Sequence, residues 1–176
     1  IRATAREEIS PSAVLEIVND LLVADTKHGL FITVAYAVIS LDTGQIIFAN
    51  AGHNEPLLLR NQPKSLEILE TTGMALGVLE GIHIADLSAQ LEPDDCLIFY
   101  TDGVTEAFSP EGEMFGESKL REFILSGDCK TAGQQLQAID QAVQNFISGL
   151  PYSDDITILT VRRVDTSENF VQEPPS

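Results

Sequence analysis

The run Phe31-Ile32-Thr33-Val34-Ala35-Tyr36-Ala37-Val38-Ile39 carries no charge and is dominated by β-branched and aromatic residues. Such residues crowd a helix and suit a pleated surface, so the run predicts a strand. Its lack of polar alternation predicts burial on both faces. Leu41-Asp42-Thr43-Gly44 supplies a turn, and Gln45 to Asn50 resumes the β pattern, which completes a hairpin. A hairpin of this kind must be covered by further layers. Pro56 to Arg60 and Ser65 to Leu69 predict two more short strands around Asn61-Gln62-Pro63-Lys64. Cys96-Leu97-Ile98-Phe99-Tyr100 is a short, wholly apolar strand, and Asp155 to Arg162 predicts the last one.

Helical spacing occupies the remaining segments. Residues 10 to 24 predict a helix with Ser10 as N-cap, Pro11 at the first position and Val14, Leu15, Val18, Leu21 and Leu22 on one face; Gly29 ends that unit. Residues 117 to 127 and 131 to 148 predict two more, the second presenting Leu136, Ile139, Val143, Phe146 and Ile147 together before Pro151. Between 71 and 93, Gly73, Gly77 and Gly81 interrupt any long element. Short turns between neighbouring strands favour antiparallel pairing, so the pattern is one α+β domain over residues 1–163. The polar tail 164–176 is predicted to be flexible.

Composition narrows the class. With 176 residues and 44 % apolar side chains the chain can bury a core. A net charge of -17 argues against nucleic acid or anionic membrane as partner, because both are polyanions. It suits divalent cations, and equally a surface that is merely soluble. Cys96 and Cys129 stand far apart with no metal-binding spacing, which predicts free thiols in a reducing, cytoplasmic compartment. The longest apolar runs fall well short of the roughly 20 residues that cross a bilayer. Ile1 to Arg6 lacks the continuous apolar core of a signal peptide.

Three constellations carry chemistry. In Leu97-Ile98-Phe99-Tyr100-Thr101-Asp102-Gly103-Val104-Thr105-Glu106 an apolar strand runs straight into an Asp-Gly pair. A strand end holds a carboxylate on a rigid element, and glycine lets a ligand or a second backbone approach. Asp-Gly is also a common turn. In Ser153-Asp154-Asp155-Ile156-Thr157 two adjacent carboxylates precede a strand. Their repulsion is relieved by a cation or by solvent. In Asn50-Ala51-Gly52-His53-Asn54-Glu55-Pro56 a histidine follows small residues at a strand end, as ligand, acid–base group, substrate contact or structural residue. His28 and His83 sit in unpatterned contexts and read as structural. Two strand-end carboxylates without thiols or paired histidines suit Mg²⁺ or Mn²⁺ better than zinc.

Six blocks in order resemble the bacterial PPM-type phosphatases, in their SpoIIE-like branch, which is similar to the type 2C protein phosphatases. They are Phe31 to Val34, Ala49-Asn50-Ala51-Gly52-His53-Asn54, Gly73-Met74-Ala75-Leu76-Gly77, Tyr100 to Ala107, Met114-Phe115-Gly116 and Asp154-Asp155-Ile156-Thr157. The resemblance covers roughly residues 10 to 163. It implies an α-β-β-α sandwich of two antiparallel sheets flanked by helices, and two Mn²⁺ or Mg²⁺ ions between the sheets. It also implies in-line attack on phosphoserine or phosphothreonine by a water bridging the ions, with no phospho-enzyme. Asp102 and Asp154 match the family's metal aspartates. Gly103 and Asp155 stand with them as further or alternate ligands. His53, Asn54, Thr101 and Glu106 are implied as substrate contacts or as supports of the ligands.

The family's other metal carboxylates, in an early strand and in a Gly-Asp-Val-x-Gly-His-Gly block, have no counterpart in these residues. The resemblance therefore implies a C-terminal part of the domain that lacks the first strands. Weak cation binding, little or no phosphatase activity of this chain alone, and open sheet edges that a homodimer could cover follow as expectations. The substrate it implies is a phosphorylated regulatory protein, of the anti-sigma-factor-antagonist kind. The competing readings are a catalytically dead module that grips a partner, and a soluble α+β domain whose Asp-Gly and Asp-Asp pairs are only turns.

Overall fold

The computed structural model describes residues 10–25 and 30–164. In chain order its elements are α1 (Pro11–Asp25), β1 (Val34–Ile39), β2 (Gln45–Ala51), β3 (Leu57–Arg60), β4 (Ser65–Ile68), β5 (Leu87–Gln90), β6 (Cys96–Tyr100), α2 (Asp102–Thr105), α3 (Gly116–Ser126), α4 (Ala132–Ile147) and β7 (Ile158–Arg162). The strands form two sheets, ordered β1-β2-β5 and β4-β3-β6-β7. Every pairing between these strands is antiparallel, and one isolated parallel bridge joins Ala51 to Gly73.

The side-chain period of two explains how these sheets stack. Along β6, Cys96, Ile98 and Tyr100 point into one core, while Leu97 and Phe99 point into another. The first core lies between the second sheet and α3 and α4, with Leu120, Ile124, Ile139 and Val143 among its buried members. The second lies between the sheets, where Ile46 and Phe48 of β2 meet Leu58 and Leu97. A third joins β2, through Ala49 and Ala51, to Leu15 of α1. Three cores separate four layers, so the molecule is the expected α-β-β-α sandwich. A fully buried leucine or isoleucine contributes roughly 1.5–3 kcal/mol, so the two central strands β3 and β6, with Leu57, Leu58, Leu97 and Ile98 fully buried, are firmly anchored.

Local chemistry sets the helix starts. Ser10 Oγ accepts the Ala13 N–H at 3.2 Å, as an N-cap does. Thr131 and Gln134 form a reciprocal capping box at α4, through bonds of 3.1 and 3.2 Å.

The structure corrects several expectations. The 31–39 run is a strand only from Val34, and it is not buried on both faces: Phe31 and Ile32 are 64 % and 48 % exposed. Position explains this, because β1 is the edge of its sheet and Ile32 makes only an isolated bridge, to Leu76. Leu21 is exposed rather than on the inner face of α1. The fully buried Gln135 joins Ile139, Val143 and Ile147 on the inner side of α4, while Leu136 and Phe146 are half-buried. The 71–93 segment contains β5, which pairs with β2. The last strand begins at Ile158 rather than Asp155. Both cysteines are free, Cys96 buried and Cys129 half-buried. No helix among the described residues is long and apolar enough to cross a membrane. Gly29, His28 and residues 165–176 lie outside the described residues.

Candidate metal centre

β6 delivers its last residue, Tyr100, into the core, and the next three residues build one side of the site. The Thr101 N–H donates to the Thr157 carbonyl at 3.1 Å. Its hydroxyl donates to the Asp155 carbonyl at 3.0 Å and accepts the Thr157 N–H at 2.9 Å. Because that hydroxyl is committed across the loop, it does not cap α2. The Thr101–Thr157 backbone bond carries the β6–β7 register one pair past the strand ends.

Gly103 makes the close approach possible. A Cβ there would stand 2.6 Å from the Asp155 carbonyl oxygen and 3.3 Å from that of Asp154, so only glycine lets the two backbones touch. Ser153 Oγ donates to the Glu106 carbonyl at 2.8 Å and ties the far end of the junction. The structure thus brings Thr101, Asp102, Gly103 and Glu106 together with Asp154 and Asp155, though the pairs are about fifty positions apart in sequence. Instead of a plain Asp-Gly turn, residues 102–105 form one helical turn, closed by the Glu106 N–H on the Asp102 carbonyl at 2.7 Å.

Asp102, Asp154 and Asp155 are exposed. Asp102 Oδ1 accepts the Gly103 N–H at 3.0 Å, and Asp154 Oδ1 accepts the Asp155 N–H at 2.7 Å. These bonds fix the side chains while each keeps its second oxygen for a ligand. Hard carboxylate oxygens are the donors that Mg²⁺ and Mn²⁺ take, and Mg²⁺ is commonly held by one or two carboxylates with water and phosphate oxygens completing its shell. The donor set fits such an ion in kind. Among the described residues no group of three or more His, Cys, Asp or Glu side chains gathers closely enough to form a fuller protein cage.

His53 arrives from the other sheet, just past the end of β2. Asn50, fully buried, grips its backbone: Asn50 Nδ2 donates to the His53 carbonyl at 3.0 Å and Asn50 Oδ1 accepts the His53 N–H at 2.8 Å. The ring Nδ1 lies 3.1 Å from Thr33 Oγ1. Burial lowers the imidazole pKa below its usual value, and the negative charge of Asp102 partly offsets that. His53, with Tyr36 from the first sheet and Phe99, Thr101, Thr157 and Leu159 from the second, lines an inter-sheet cleft of about 430 Å³. Asn54 is half-buried beside it. His83 is not part of this cleft; it meets Glu16 of α1 at 3.1 Å.

Sequence reasoning missed Asn50 as a clamp and Thr33 as the partner of the ring. The first could have been read from an asparagine opening a turn before Ala-Gly-His, since asparagine side chains bond the backbone nearby. The second is a tertiary contact with no local pattern.

A four-layer α-β-β-α sandwich of two antiparallel sheets is the arrangement of the PP2C phosphatase domain fold. The phosphatase domain of SpoIIE from Bacillus subtilis, in a manganese-presoaked crystal, superposes with a TM-score of 0.68 at 18 % identity, over 93 % of this chain and 70 % of that one. The chain belongs to the SpoIIE family, whose model, Stage II sporulation protein E, matches residues 1–164. It is 34 % identical over 152 residues to Protein IcfG of Synechocystis, covering 85 % of this chain and 23 % of that protein. It is 26 % identical over 155 residues to the phosphoserine phosphatase RsbU of Bacillus subtilis, covering 88 % of this chain and 46 % of that one. The chain therefore spans less than half the length of either curated relative.

Proposed function

We propose that this domain removes phosphate from phosphoserine or phosphothreonine on a bacterial signalling protein, of the anti-sigma-factor-antagonist kind, in the cytoplasm. The observation that carries the reading is the Asp102–Gly103 junction with Asp154–Asp155, in a family with a phosphoserine phosphatase among its relatives. Asp102 and Asp154 would hold Mn²⁺ or Mg²⁺, with Gly103 and Asp155 as further or alternate donors. Such an ion lowers the pKa of water and offsets the charge of the phosphate. Thr101 keeps the two aspartate segments in register through its bonds to residues 155 and 157. Glu106, Asn54 and His53 border the approach of the phosphorylated side chain. Because water is the nucleophile in this reading, no serine or cysteine nucleophile is required.

Phosphate release from a phosphoserine peptide with added Mn²⁺ tests the proposal. Asp102→Asn and Asp154→Asn are expected to lower the rate by about 100-fold or more, several kcal/mol of charge stabilisation. Equal rates with and without metal, or in both variants, would overturn it. A second reading, binding without turnover, is favoured by the lack of a third clustered ligand among the described residues. Calorimetric binding of a phosphorylated antagonist domain with no phosphate released would select it.

A further inference from the structure

The His53 loop is built more firmly than a surface turn requires. Asn50 spends both side-chain groups on its backbone. Gly52 has φ +68°, and a Cβ there would lie 3.0 Å from the Ala75 nitrogen, so the loop packs directly on the neighbouring segment. The ring is half-buried, and with Nδ1 paired to Thr33 its Nε2 has no hydrogen-bond partner among the described residues. Across the cleft stands Thr101, the residue before Asp102, whose negative charge acts on the ring. The Thr33 hydroxyl can donate to Nδ1 and so leave Nε2 as an N–H donor.

Resting on the phosphatase reading, we propose that His53 Nε2–H donates a hydrogen bond to a phosphoryl oxygen of the substrate. The phosphorylated side chain is then held from both sheets: by the aspartate side through its cation, and by a neutral imidazole from the opposite wall. Burial disfavours the charged imidazole, and an uncharged donor can contact phosphate without repelling that cation. It is also the kind of contact a chain of net charge -17 needs, since its surface otherwise repels a phosphate dianion.

The test is nitrogen-15 NMR of the histidine-labelled chain, with His53→Gln assigning the signal. The expected result is the neutral Nε2–H tautomer, an Nε2 resonance that moves when inorganic phosphate and Mg²⁺ are added, and loss of the tautomer preference in Thr33→Val. A bare Nε2, or a ring unmoved by phosphate, overturns the proposal. In peptide kinetics with Mn²⁺, His53→Ala is expected to raise KM about tenfold or more, the effect of a charge-assisted hydrogen bond. His53→Gln, which restores an N–H, should recover most of that loss. Unchanged KM in His53→Ala overturns it too. If the wild-type chain releases no phosphate with any metal, the phosphatase reading fails, while the tautomer and phosphate shift still decide the hydrogen bond.

Discussion

Gly103→Ala sets two familiar effects against each other. Gly103 lies inside α2, and alanine is the better helix former by about 0.8–1 kcal/mol, so propensity alone predicts stabilisation. The added Cβ, however, would sit 2.6 Å from the Asp155 carbonyl oxygen and 3.0 Å from its carbon. Ordinary carbon–oxygen contacts lie at about 3.3–3.6 Å, so one backbone must retreat by roughly 0.7 Å. Both are pinned, by the Thr101 hydroxyl and by Ser153 on Glu106, and overpacking of this kind costs about 1–3 kcal/mol. With both backbones pinned the cost falls in the upper part of that range, about 2–3 kcal/mol, so the clash should win by about 1–2 kcal/mol and lower Tm by roughly 2–8 °C for a chain of this size. Gly133→Ala in α4 is the control: a Cβ there meets nothing within 4 Å, so Tm should rise. Circular-dichroism melts of both variants, with manganese titration of Gly103→Ala, provide the readout. A Tm for Gly103→Ala at or above wild type, with unaltered manganese affinity, would refute the claim that the Asp102 and Asp154 segments are in backbone contact.

Asn50→Ala leaves the His53 N–H and carbonyl without their buried partner and should cost about 2–4 kcal/mol in urea unfolding; a loss below about 0.5 kcal/mol would contradict the clamp. Burial pushes the Cys96 thiol up to about 11, so a thiol reagent at pH 8 should label Cys129 alone in the folded protein. Labelling of Cys96 at the same rate, seen in Cys129→Ser, would count against that. His53 has a folded pKa below its usual value, so the unfolded chain takes up its proton first as pH falls. Stability should therefore drop more steeply in wild type than in His53→Gln between pH 7 and pH 5, and parallel denaturation curves across that range would remove the basis for it.

What could be read beforehand was whatever apolar spacing and turn chemistry encode locally. Cys96 to Tyr100 had to be a covered strand, because nothing in it can face water, and Asp102 therefore had to stand at a strand end. The paired hairpins and the α4 face followed from the same periodicity. β5 was not legible because Leu87-Ser88-Ala89-Gln90 has an ordinary composition, and its strand character comes from pairing with β2. The burial of Phe31 and Ile32 was misjudged because composition cannot tell a central strand from an edge. At the site, the aspartates were visible as residue types, but their juncture was not. It depends on a threonine hydroxyl that bonds across more than fifty positions and on a glycine whose necessity appears only when the second backbone is in place.

β6 is hydrogen-bonded on both sides, to β3 and β7, and its side chains feed two separate cores. Amide protons in such a strand exchange with solvent only when the whole domain opens, unlike those of a fraying loop. Asp102, two residues past the end of this strand, is therefore anchored beside one of the last parts of the molecule to soften with heat. Warming should leave its geometry intact until the cooperative melt and then abolish it at once, and damage anywhere in either core should reach it as lost population of the folded state rather than as a gradual blurring.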